Sequence, residues 1–148
     1  MTESQLQVFI DAVIGYFAHT SEKKVSVGTP YLAENKQPEA CDYTGIIGIS
    51  GPSKGCVYFT APGILLKHLL LSIGENDTSI SNIVDLIGEV ANTISGNARR
   101  EFGKEFMISV PIVVEGAPSH IHLPEDLRSY VIPFTWKSYH GAVVICLQ

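Results

Sequence analysis

One long amphipathic segment, residues 79–102, most constrains how this chain can fold. On a helical wheel its apolar side chains fall in one broad arc and its polar side chains in the opposite arc. Asp77, Thr78 and Ser79 offer N-caps, and Gly103 follows as a helix terminator. Such a helix must pack its apolar side against another layer of structure. The arc expected to be buried consists of Ile83, Leu86, Ile87, Val90, Ala91, Ile94 and Ala98.

The remaining elements alternate between helical and strand-like patterns. Apolar spacing predicts a helix over 4–19 with Ser4 as N-cap, and a helix that Pro62 opens and Gly74 ends. A helix, strands, two helices and strands again indicate an α+β architecture. The predicted strands are 25–27, 42–50, 54–61, 108–115, 129–136 and 139–147, with a further short strand at 119–123.

Length and composition indicate a single folded domain over residues 1–148. Hydrophobic residues make up 45% of the chain and charged residues 17%, which is typical of a folded protein. The sequence shows no internal repeat and no domain linker. A net charge of −5 with scattered basic residues argues against nucleic-acid binding.

The N-terminus and the cysteines favour a cytoplasmic protein. No positive segment leads into an apolar run at the N-terminus, and no apolar stretch is long enough to span a membrane. The three cysteines are odd in number and form no Cys-x-x-Cys pair, so neither a disulfide framework nor a thiolate zinc site is expected.

The polar arc of the long helix is the candidate functional surface. Glu89 and Asn92 are three residues apart, so their side chains should be neighbours. Gly88 and Gly96 are expected to border this face, although each glycine costs about 1 kcal/mol in a helix interior. The pattern alone favours a solvated face over a site.

The motif Asp85-x-x-x-Glu89-x-x-Asn92 resembles the signature of the CheC/CheX/FliY phosphatases of bacterial chemotaxis. That signature has an acidic residue or Ser, then Glu, then Asn, and a Pro about twenty residues later, for which Pro111 is the best match. The order of elements is similar over nearly the whole chain. Because the motif occurs once, the sequence is most similar to the CheX branch.

The resemblance implies an architecture and an activity. The architecture is a mixed, largely antiparallel sheet of about six strands with two long helices packed on one face. The activity is hydrolysis of the aspartyl phosphate of a CheY-like response regulator. The resemblance also implies a homodimer, with Mg²⁺ in the regulator's acidic pocket and no cofactor or metal in this chain.

Roles for the motif residues follow from that reaction. Asn92 would position the attacking water, because its amide can both accept from a water and donate to a phosphoryl oxygen. Glu89 would dock the regulator through its active-site lysine, since a carboxylate beside the phosphate would be repelled. The expected partner-binding residues are Asp85, Gly88, Gly96 and Pro111, and the side chains expected to discriminate among regulators include Ser95, Asn97, Arg99 and Arg100.

Other interpretations stay open at this point. The same face could belong to a dimeric module that binds a receiver domain without hydrolysis, or to a structural part of the flagellar switch. His120 and His122 would share a strand face, but two imidazoles are too few for a zinc site. Residues 45–51 are glycine-rich without phosphate-loop spacing, which predicts a strand where a helix packs closely.

Overall fold

The long amphipathic segment forms a helix that lies across an antiparallel sheet in the computed structural model, which describes residues 1–36, 38–116 and 121–148. The described residues form three helices and eight strands. These are α1 (Glu3–Thr20), β1 (Val25–Val27), β2 (Tyr31–Glu34), β3 (Tyr43–Ser50), β4 (Gly55–Ala61), α2 (Gly63–Ser72), α3 (Ile80–Phe102), β5 (Met107–Ile108), β6 (Ile112–Glu115), β7 (Arg128–Trp136) and β8 (Tyr139–Leu147).

The sheet has the strand order β1-β7-β8-β4-β3-β5, with β2 also pairing with β7 and β6 with β3. All of these pairings are antiparallel. The α+β fold with an antiparallel sheet is therefore confirmed. Eight strands replace the expected six because β2 is additional and the predicted strand 108–115 is divided. Pro111 lies in the gap between β5 and β6, where its missing N–H could not have continued the pairing with β3.

Several predicted boundaries hold, and two are wrong. Ser79 is the N-cap of α3, and the left-handed backbone of Gly74 and Gly103 follows the ends of α2 and α3. Helix α1, however, is capped by Thr2 in a capping box with Gln5, so Ser4 lies inside the helix. Residues 121–123 do not form a strand, and residues 119–120 lie outside the described part of the chain.

Strand β8 lies in the middle of the sheet, between β7 and β4. Its apolar run 142–146 is buried on both sides, by the helices on one face and by a second apolar cluster on the other. That cluster includes Ala40, Ile121 and Leu123 from the connections that cross the second face. The run is therefore covered within one chain, and it gives no argument for a dimer.

The two halves of the chain repeat the same arrangement, although the sequence shows no repeat. Each half has a long helix, two short strands and a hairpin of two long strands, and the short strands of each half pair with a long strand of the other. One backbone bond recurs at equivalent places: Gly28 N–H donates to the Pro133 carbonyl at 2.8 Å, and Ser109 N–H to the Gly48 carbonyl at 2.9 Å. The arrangement is repeated in the strand pairing and not in the side chains, which is why the sequence shows no repeat.

The helix α3 packs tightly on β3 at one glycine. A Cβ atom on Gly45 would lie 2.6 Å from the carbonyl oxygen of Ile87 and 3.1 Å from the Cβ of Ala91. Only a residue without a side chain permits this approach, which is the close helix contact that the glycine-rich strand predicted.

The end of α3 is fastened to the following connection by Arg99. Its Nε donates to the Phe106 carbonyl at 2.8 Å and its Nη2 to the Lys104 carbonyl at 3.1 Å. Arg99 is half-buried, and it closes the turn into β5. It therefore has a structural role that the sequence interpretation, which assigned it to regulator discrimination, did not anticipate.

We expect Gly45→Ala to destabilise the protein by about 1–3 kcal/mol, because α3 must move away from β3 to admit the methyl group. Chemical denaturation measures this change. The matched control is Gly15→Ala on α1, where an added Cβ meets no atom within 4 Å. There the same substitution should be neutral or stabilising. Equal effects at the two positions would contradict the close approach at Gly45.

We expect Arg99→Ala to lower the free energy of unfolding by about 1–3 kcal/mol, because two carbonyls lose a charged donor. Arg100→Ala is the control, since Arg100 is exposed and its side chain donates only to Asn97 of its own helix. Its effect should stay within about 0.5 kcal/mol. A loss for Arg99→Ala no larger than that for Arg100→Ala would argue against the fastening role.

Candidate functional site

The exposed side of α3 carries the three polar motif residues in a row. Asp85, Glu89 and Asn92 are all exposed, while the seven apolar residues of the predicted arc are buried. The division of this helix into a buried arc and an exposed arc is therefore confirmed. The buried arc contacts the sheet, so the exposed residues project from a rigid element.

An open depression lies where α3 meets strand β6. It is lined by Asp85, Gly88, Glu89, Asn92 and Pro111, with Val84 and Val113 completing its walls. Five of the six residues singled out in the sequence thus line one surface feature. The exception is Gly96, which lies farther along the helix and outside this lining.

The two glycines of α3 have different environments. Gly88 is buried, and a Cβ there would lie 3.5 Å from Val113 Cγ2 and 3.6 Å from Pro111 Cγ. Gly88 lines the depression from its floor, with Pro111 and Val113 of the same chain packed against it. Gly96 is half-buried, with no atom within 4 Å of a built Cβ. A Cβ at Gly88 would therefore be in ordinary van der Waals contact with Pro111 and Val113, whereas one at Gly96 would meet open space.

The motif side chains are not engaged inside the protein. In the described part of the chain, none of the hydrogen bonds made by α3 side chains involves Asp85, Glu89 or Asn92. Both carboxylates and the amide are therefore free to contact another molecule. Ser95, which was expected on the recognition surface, is instead fully buried, and its hydroxyl has no hydrogen-bond partner.

A second depression lies on the other side of Glu89, between α3 and the C-terminal part of α1. Glu89 and Thr93 line it from α3, and Tyr16, His19 and Thr20 line it from α1. The sequence interpretation treated α1 only as a packing helix and missed these residues. The available signal was a tyrosine among the apolar positions of an amphipathic helix.

The Tyr16 phenol is held in its protonated form. Burial raises the pKa of Tyr16 to about 12, the nearby Thr20 side chain lowers this pKa somewhat, and the negative charge of Glu89 raises it further. Tyr16 is therefore a hydrogen-bond donor close to Glu89 at neutral pH. Asn97 and Arg100 also line this depression, which places two of the expected discriminating side chains beside the motif.

The arrangement supplies a carboxylate and an amide on a rigid surface. Among the described residues, no three His, Cys, Asp or Glu side chains come together as metal ligands. His120 lies outside the described residues, and His122 is exposed. Within the described ranges, no helix has both the length and the hydrophobicity to cross a membrane. A carboxylate and an amide on a rigid helix can accept hydrogen bonds from, and the amide can donate them to, a group that another molecule brings to this surface.

Solved structures of chemotaxis proteins share this fold. A CheC-like superfamily protein from Shewanella sp. PV-4 is similar with a TM-score of 0.86 and 27% identity, covering 100% of this chain and 99% of that one. The chemotaxis protein CheX from Desulfovibrio desulfuricans is similar with a TM-score of 0.82 and 26% identity, over 98% and 99% of the two chains. The CheX of a CheX–CheY–BeF3–Mg²⁺ complex from Borrelia burgdorferi is 18% identical with a TM-score of 0.78, over 97% of each chain, which shows the shared fold.

Comparison with curated proteins finds no match. The family model of the chemotaxis phosphatase CheX matches residues 43–135, a range that includes all of α3 and the strands on both sides of it. The matched range covers more than half of the chain and contains Asp85, Glu89, Asn92 and Pro111. The chain belongs to the CheX family of chemotaxis phosphatases.

Proposed function

We propose that this chain hydrolyses the aspartyl phosphate of a CheY-like receiver domain, using the exposed face of α3. The observation that carries the proposal is the set of Asp85, Glu89 and Asn92, exposed beside Pro111 and without a side-chain hydrogen bond among the described residues. Membership of a phosphatase family supports hydrolysis in general. The Borrelia complex supports a receiver domain as the substrate, since a CheX and a CheY are bound together in it.

Asn92 is the residue we assign to the reaction itself. Its amide oxygen accepts a hydrogen bond from a water, and its NH₂ group donates to a phosphoryl oxygen. The water oxygen bonds to phosphorus as the bond from phosphorus to the aspartyl oxygen breaks, which leaves a carboxylate and inorganic phosphate. Because the transition state is loose, placing the water in line is most of the catalytic work.

Glu89 is assigned to docking rather than to chemistry. Its carboxylate would pair with the active-site lysine of the regulator and fix the position of α3 over the phosphoryl group. Mg²⁺ is expected in the regulator, where it neutralises phosphoryl charge. Asp85, one helical turn before Glu89, is assigned to contact with the regulator or to orientation of the helix surface.

The covered glycine changes how the partner is expected to reach the motif. Gly88 is buried beneath Pro111, so the regulator would contact Pro111 and the rim of the depression rather than the backbone of Gly88. Gly96 remains an open position on the same helix. We therefore keep Pro111 and Gly96 as contact residues and assign Gly88 to the floor of the depression beneath Pro111.

A second candidate function uses the same surface without hydrolysis. A receiver-binding module would need the docking carboxylate but would have no use for Asn92. A homodimer, which the resemblance implies, is proposed for either function and is checked by the molar mass of the purified chain in light scattering across a range of concentrations.

We expect Asn92→Ala to slow phosphate release from a phosphorylated CheY-like receiver by about 10²-fold or more, because the water loses its positioning group. Affinity for the receiver should be nearly unchanged. The assay follows loss of the phosphorylated receiver over time, with Asn82→Ala as a matched control at the start of the same helix. Full activity of Asn92→Ala would refute the water-positioning role. Binding by the wild type without any phosphate release would favour the module.

We expect Glu89→Gln to weaken binding of the receiver by about tenfold while the rate at saturation is kept, because the substitution removes one charge of a docking ion pair. Binding by the wild type should also fall with ionic strength more steeply than binding by the variant. Glu101→Gln, an exposed acid farther along α3, is the control. A lower saturated rate with unchanged affinity would assign Glu89 to the chemistry instead.

A further inference from the structure

Two cysteines face each other across the middle of the sheet, on the side away from the helices. Cys56 of β4 and Cys146 of β8 are direct partners in the antiparallel register of these strands. Residues that are directly opposite point to the same face of a sheet. That face carries the second apolar cluster, which includes Tyr58 and Val144, the next residues along each strand on the same side. The two thiols therefore project as neighbours into one buried layer.

The spacing of this pair suits a disulfide, although all three cysteines of the chain are free thiols in the structure. The Cα atoms of opposite residues in an antiparallel pair are about 4.5–5.5 Å apart. Cysteines that are joined by a disulfide have Cα atoms about 4.4–6.8 Å apart. The two strands therefore need no large movement for a bond to form between Cys56 and Cys146, and rotation of the side chains brings the sulfur atoms together.

The two thiols differ in their access to solvent. Cys146 is only 1% exposed, and its Sγ accepts a hydrogen bond from the Asn35 amide at 3.4 Å. Cys56 is half-buried, so a small reagent can reach its sulfur. Burial raises the pKa of Cys56 to about 12, and the nearby Cys146 contributes to this rise. The thiol therefore stays protonated at neutral pH and reacts slowly, since the thiolate is the nucleophile.

The third cysteine is too far away to join the pair. Cys41 lies before β3, and its backbone N–H donates to the Thr60 hydroxyl at 2.7 Å. Thr60 is four residues from Cys56 along β4, which corresponds to about 13 Å. Cys41 thus serves as an internal comparison, because it is also half-buried but lies too far from either of the other two cysteines.

We propose that Cys56 and Cys146 are a modification site, an oxidisable pair that a low-molecular-weight disulfide such as oxidised glutathione closes into a cross-link between β4 and β8. The Cys56 thiolate attacks one sulfur of the reagent, and one glutathione leaves. The Cys146 thiolate then attacks the Cys56 sulfur of the mixed disulfide, and the second glutathione leaves. The two cysteines lose two electrons and two protons, which the two released glutathione thiols carry away.

The cross-link would act on stability and leave the motif surface unchanged. It closes a loop that runs from position 56 to position 146, and a long closed loop lowers the conformational entropy of the unfolded chain. The oxidised chain is therefore more stable than the reduced chain. The bond lies on the face of the sheet opposite α3, so the inference is independent of the proposed function and its test needs no receiver domain.

The test incubates the full chain with reduced and oxidised glutathione at fixed ratios until the number of free thiols is constant. We expect two of the three thiols to be lost, the mass of the chain to fall by two hydrogen atoms, and a peptide pair that joins Cys56 to Cys146. The thermal midpoint of the cross-linked chain should be about 5–10 °C above that of the reduced chain. Cys41→Ser should behave like the wild type, and Cys56→Ser should form no cross-link.

The wild-type chain alone is sufficient to overturn the inference, so the test does not depend on the folding of a variant. Glutathione adducts on Cys56 without a cross-link, a cross-link through Cys41, or three free thiols at the most oxidising ratio would each contradict the pairing. A cross-link between Cys56 and Cys146 that leaves the thermal midpoint unchanged would contradict the effect on stability.

Discussion

The contact between α3 and β3 at Gly45 sets the position of every residue in the candidate site. The missing side chain lets the Ile87 carbonyl come so close that a Cβ would lie 2.6 Å away. Because α3 packs this close to β3, its apolar arc fills the core and its polar arc stays at the surface. Gly88, one residue after Ile87, packs against Val113 of β6 and against Pro111, so Pro111 lies next to the motif. The close approach at Gly45 thus sets the depth of the helix on the sheet, and the contacts at Gly88 join it to the outer strand.

The packing of α3 on the sheet explains which parts of the candidate site could be predicted from the sequence. The buried and exposed arcs of α3 follow from 3.6-residue periodicity, so Asp85, Glu89 and Asn92 were placed correctly by the wheel. The burial of Gly88 was not foreseen, because a wheel shows the angle of a residue but not what the neighbouring strand covers. For the same reason Ser95 was wrongly expected at the surface, and the bonds of Arg99 to carbonyls seven and five residues away were missed.

The prediction of strands from the sequence was limited in a similar way. The long inner strands could be recognised because β-branched and aromatic residues fill them. The short outer strands β2, β5 and β6 are defined mainly by pairing with a long strand, and their side chains are largely exposed or half-buried. The repeat of the two halves also lies in the pairing, so it leaves little trace in the residues. Tyr16 was missed because its place beside Glu89 depends on α1 lying against α3, and the tyrosine among the apolar positions of α1 does not show which helix it faces.

Glu89 lines both depressions, and its carboxylate has different neighbours on its two sides. Pro111 and Asn92 lie on one side of the carboxylate, and Tyr16 and Thr20 lie on the other. On the proposed function, a partner that docks over Pro111 brings its charge toward Glu89 from the solvent side. On the opposite side, burial keeps the Tyr16 phenol neutral, so no second charge stands there. A lysine or arginine on that wall would compete with the partner for the carboxylate. A neutral wall leaves Glu89 available to another molecule.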